Sequence, residues 1–150
     1  MIISSHLNKI KQLDAGMALL DPLEDFELWF WSAMVAGTNA VNAALHLAQV
    51  TPSESAFPSQ PGLYYVPEAE GNKFILKEFG DVLHVGRPPI KKEVPLDIHK
   101  MMEAMERIEK FRDPCTRGDT EPNAEIISQC KSAYRECIDL LQIRVLDNQK

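Results

Sequence analysis

In the stretch 39–47, NAVNAALHL, two asparagine amides and one imidazole interrupt a run without formal charge. An imidazole can serve as a general base, and neighbouring amides can orient a bound molecule. At about 100° per residue, Thr38, Asn39, Asn42, His46 and Gln49 share one helical arc, so they form the candidate site. Trp29, Ala33, Ala36, Ala40, Ala44 and Leu47 fall on the opposite side. A solvated helix face is normally rich in Lys and Glu. None occurs between Glu27 and Val50, so the arc is expected to be at least half buried. Its amides and imidazole then need hydrogen-bond partners from another helix, from a β insertion or from a second subunit. A structural joint is the simpler reading. The alternative is a small-molecule or hydrolytic cleft with His46 as general base or polar anchor, and Asn39 and Asn42 orienting the ligand.

Other chemistries lack their residues. A metal site needs several His, Cys or carboxylate groups converging at about 2 Å from the ion. His6, His46, His84 and His99 include no pair at ligand spacing, and there is no ExxH set of the di-iron kind. No metal and no cofactor are therefore expected. There is no GxSxG elbow and no Gly-rich phosphate loop. A net charge of −6 argues against binding nucleic acid, which depends on Lys and Arg neutralising phosphates. The three cysteines form no CxxC or Cys/His pattern. Cys130 and Cys137, seven apart on one helix face, read as small core residues of a protein in a reducing, cytoplasmic setting.

Two short likenesses help to bound the function. PGLYY (61–65) and VLHVG (82–86) resemble the strand pair of GIY-YIG nucleases, with Tyr64, Tyr65 and Gly86 in matching places. His84 stands for the expected tyrosine, however, and Pro88-Pro89 occupies the start of the arginine-bearing helix. The helical part resembles HEPN nucleotide-binding and ribonuclease bundles. Their RxxxxH motif needs an arginine at the position of Val41, so ribonuclease activity is not implied.

The elements that must position the arc follow from hydrophobic period. Leu7, Ile10, Leu13, Met17 and Leu20 give a first helix, capped by Ser4 or Ser5. Asp21-Pro22 stops it and starts a second helix that reaches about Val50, where Thr51-Pro52 ends it. Leu28–Val50 is long enough to span a bilayer, but its Ser, Thr, Asn, His and Gln side chains would need partners in lipid. It reads as the central helix of a soluble bundle. GLYYV, KFILKEF and DVLHVG are β-prone and suggest a small hairpin or three-stranded meander across about 63–86. A third helix from Pro95 to Phe111 carries Ile98, Met101, Met102, Met105 and Ile108. A fourth, capped by Asp119 or Thr120, runs to about Leu146 with Ile127, Cys130, Tyr134, Cys137, Leu141 and Val145 as its stripe.

The expected fold is mainly α: one domain over 1–150, a four-helix bundle with the β element inserted between helices two and three. The expected function is a non-enzymatic helical interaction module. It would form a homo-oligomer, most simply a two-fold dimer, through the second helix or the methionine face of the third. A small ligand is the alternative partner, and neither nucleic acid nor membrane is expected.

Overall fold

The computed structural model describes residues 1–53, 62–67, 74–79, 90 and 92–149, with 62–67 and 74–79 described as backbone alone. Four helices form the described core: α1 (Ile3–Met17), α2 (Phe26–Leu47), α3 (Leu96–Glu109) and α4 (Ala124–Asp147). α2 lies at the centre and packs against the other three. Its small residues set the approach. A Cβ added to Gly37 would come within 2.1 Å of the Met105 sulfur, so α3 rests on α2 where glycine leaves room. Ala33, Ala36, Ala40, Ala43 and Ala44 are buried on the same helix, beside Phe30 and Leu45. Burying each of those larger side chains contributes roughly 1.5–3 kcal/mol.

The expected β insertion requires correction. The described structure is mainly helical, and no meander forms within it. β1 (Gly62–Pro67) and β2 (Phe74–Phe79) pair antiparallel with each other, Gly62 opposite Phe79 and Pro67 opposite Phe74. No third strand joins them among the described residues. DVLHVG, at 81–86, lies outside those residues. A two-stranded ladder buries too little to act as a layer, and the described hydrophobic core is drawn from the four helices and their flanking residues.

Several helix ends also differ from expectation. α1 begins at Ile3 behind Ile2, without a side-chain cap; Ser4 and Ser5 lie inside its first turn. α2 is assigned from Phe26, because Asp21 first holds a turn: its Oδ1 accepts from the Leu23 amide at 2.9 Å. α4 is capped by Asn123, whose Oδ1 accepts from the amides of Glu125 and Ile126, both at 3.0 Å. Pro122 restricts Glu121 to extended backbone, so the helix starts after it rather than at Thr120. Thr120 instead donates its amide to Pro114 O, closing a short π-helical turn over Asp113–Arg117.

The methionine face of α3 is also corrected. Met101, Met102 and Met105 are buried with Ile98 and Ile108, so this face is core and not a surface for a partner. Cys130 and Cys137 are buried core residues. Among the described residues, no helix is long and apolar enough to cross a membrane.

Candidate functional site

The polar arc of α2 divides into three parts. Asn39, Asn42 and His46 are buried, Thr38 is half-buried and Gln49 is exposed. The buried part is met by His6 of α1. That residue sits on the same face of α1 as Ile10 and Met17, at spacings of four and seven, and is itself almost fully enclosed. The Nδ1–H of His6 donates to Asn39 Oδ1 at 2.8 Å, and Asn39 Nδ2 donates to Val35 O at 2.7 Å. The second bond fixes which way the amide points. The amide oxygen therefore faces His6, and the ring nitrogen there must carry the proton.

The imidazoles of His6 and His46 lie 5.2 Å apart between centroids, inclined at 39°. His46 Nδ1 is 2.8 Å from Thr51 Oγ1 and 3.3 Å from Thr51 O. One polar cluster thus joins α1, α2 and the residue that follows the end of α2. The buried pair favours one register between α1 and α2, because sliding α1 by a turn would strand the His6 N–H and the Asn39 oxygen.

Thr38 and Gln49 have other roles. Thr38 Oγ1 donates to Met34 O at 2.8 Å, within its own helix. Gln49 adopts φ 55°, the left-handed region, directly after Ala48 at the helix end. Gln49 N donates to His46 O, and Val50 N reaches back to Leu45 O, both at 3.0 Å. This is the glycine-type helix stop with glutamine in the glycine position. The Gln49 carbonyl also accepts from Lys92 Nζ at 3.1 Å.

Sequence reasoning missed His6 and Thr51. His6 was legible in principle, since it lies in register with the apolar positions of α1. Thr51 follows the helix end, outside any periodic pattern.

Three open clefts among the described residues lie away from the arc. One of about 540 Å³ is bounded by the α1–α2 turn and α4; a second, of about 460 Å³, adjoins it and contains Trp29 and Tyr134; a third, of about 440 Å³, runs between α1 and α4. None of these three is lined by Asn39, Asn42 or His46. Tyr134 donates its hydroxyl to Asp14; burial first, and then this bond, raise its pKa. Arg144 holds Asp97 through two bonds, at 2.6 and 2.8 Å, and keeps its carboxyl below the usual range against the opposing effect of burial.

Among the described residues, no group of three or more His, Cys, Asp or Glu side chains is placed to hold a metal ion. No family model, no curated protein and no solved structure matches the chain.

Proposed function

We propose that the chain is a non-enzymatic helical interaction module that self-associates through α2. The observation that carries this reading is an apolar ridge. Leu28, Trp31 and Val35 stand 61%, 41% and 47% exposed, at spacings of three and four on one helix face. Large aromatic and aliphatic side chains at that spacing form a helix–helix seam. Trp31 is held by an edge contact with the Phe30 ring, 5.7 Å between centroids, and rigid tryptophans are favoured anchors at interfaces. α2 carries no Lys, Arg, Asp or Glu beyond Glu27. Two copies can therefore cross about a two-fold axis without like charges meeting over most of its length.

Sedimentation velocity and light scattering at tens of micromolar test the reading, a range in which an interface of ordinary affinity is populated. The wild type should have twice the chain mass. Trp31→Glu should return it to the monomer with an unchanged helical signal. A wild type that stays monomeric throughout, or a Trp31→Glu variant that still dimerises, overturns the proposal.

A further inference from the structure

The geometry points to a small organic anion, a carboxylate or phosphate on an apolar body, bound in the cleft between the α1–α2 turn and α4. Lys131 and Arg135 are one helical turn apart on α4, and both line this cleft and the one beside it. Ser128 and Ser132 line the same cleft, adding hydroxyl donors next to the cations.

Arg135 stands apart from the other described arginines. Among the described residues, Arg107, Arg112, Arg117 and Arg144 each pair with a carboxylate. Lys110 is held by Gln129 and the Phe111 ring, and Lys92 by the Gln49 carbonyl. Arg135 is the one described arginine without an ion pair, while Lys131, like Lys9, Lys11 and Lys100, has none either.

Asp21 also lines this cleft, and Asp14 and Asp139 line the one beside it, but none forms an ion pair with Lys131 or Arg135. Asp21 Oδ1 accepts from the backbone amides of Leu23 and Glu24, and Asp14 accepts from Tyr134. Asp139 lines only the second cleft. In a chain of net charge −6, a cleft whose lining carries two cations against the one carboxylate of Asp21, with hydroxyls adjacent, favours an anion. The guanidinium fork matches the two oxygens of a carboxylate or phosphate.

Apolar side chains from the α1–α2 turn and from α4 itself define the rest of the ligand. Pro22, Leu23 and Ile127 present apolar surface to the cleft, so a bare inorganic ion would leave it unused. About 540 Å³ lies within the range of small-molecule sites.

The test uses the full ¹⁵N-labelled chain, titrated separately with benzoate, phenyl phosphate and the neutral benzyl alcohol. Benzoate or phenyl phosphate should shift the amides of Leu23 and Ser128 to Arg135 saturably, and the stronger of the two identifies the preferred head group. Replacing both cations (Lys131→Gln with Arg135→Gln) should weaken binding at least tenfold, with an unchanged melting temperature because both side chains are exposed. Arg135→Lys should restore part of the affinity. An equal response to benzyl alcohol, the same affinity in the double variant, or shifts that never saturate overturns the proposal.

Discussion

Replacing Asn39 by alanine tests the polar joint most directly. The substitution removes the acceptor for the His6 Nδ1–H, 2.8 Å away, in a place where neither residue meets bulk water. The stranded N–H costs about 1–3 kcal/mol. The second bond of Asn39, to Val35 O, is cheap to lose, because that carbonyl still accepts from the helix backbone. A total loss of about 2–3 kcal/mol follows, allowing for the small void left by the amide. At roughly 2.1 cal/mol/K of unfolding entropy per residue, 150 residues convert this to about 6–10 °C of melting temperature. A double-mutant cycle with His6→Phe isolates the bond from whatever else either side chain touches. Urea melts followed by circular dichroism should give a coupling energy of at least about 1 kcal/mol. A coupling below about 0.5 kcal/mol refutes the pairing. So does a nitrogen–proton correlation spectrum at about pH 8, where an ordinary imidazole is neutral, if it places the His6 proton on Nε2.

Three further outcomes are expected. Gln49→Gly should stabilise the chain by roughly 0.5–1 kcal/mol in the same melts, because a side chain at φ 55° is strained and glycine is not; destabilisation would mean that the glutamine side chain contributes more than its backbone costs. The folded-state pKa of Asp97 lies below its unfolded value. The stabilisation is therefore complete above the unfolded value and is lost as pH falls through the folded one. Melting temperatures between about pH 5 and pH 2 should then decline less steeply for Asp97→Asn than for wild type, and parallel declines would refute this linkage. Burial pushes the Cys130 thiol up to about 11 and the Cys137 thiol up to about 12. Iodoacetamide at neutral pH should thus label Cys115 first in the native chain, with peptide mass spectrometry as the readout, and early labelling of Cys137 would contradict its burial.

Periodicity made the helical part of the fold readable. The α3 stripe Ile98, Met101, Met102, Met105 and Ile108 is buried as its spacing required, and the charge-free run of α2 marked it as central. Helix ends were less readable, since several residues competed for each cap. Asn123 won at α4 because Pro122 barred a helical residue before it, a backbone restriction that a search for Ser, Thr or Asp does not register. β propensity suggested a small hairpin or three-stranded meander, whereas the described residues hold two paired strands and no third, because propensity describes what suits a pleated surface and not how many strands assemble. At the site, the absence of Lys and Glu agreed with the burial of Asn39, Asn42 and His46 but not with the exposure of Gln49 or of Leu28, Trp31 and Val35 on the same run. It could not indicate that His6 meets Asn39 and His46, because His6 comes from another helix and no local spacing links them.

The same arc of α2 also carries the ridge. At about 100° per residue, Leu28, Trp31 and Val35 lie within the arc that holds Asn39, Asn42 and His46. The character of the arc changes along the helix: it is polar where His6 covers it and apolar where the side chains stand exposed. Ordinary surfaces run the other way, with polar groups outside and apolar groups within. The inversion has a separate cause in each half. Covered amides and imidazoles are tolerated because they are paired, and the pairing fixes where α1 sits. Met17, at the far end of α1, lines a cleft with Trp29, about 100° round α2 from Leu28. α1 therefore crosses α2 obliquely and leaves Leu28, Trp31 and Val35 uncovered. The His6–Asn39 bond is one of the contacts that hold α1 in that placement. If the polar joint loosens, α1 is free to swing across the ridge, so Asn39→Ala should weaken the proposed self-association as well as stability. Trp31→Glu should weaken self-association alone. Equal dimer affinity for Asn39→Ala and wild type, under conditions where both are folded, would separate the joint from the ridge and refute the link between them.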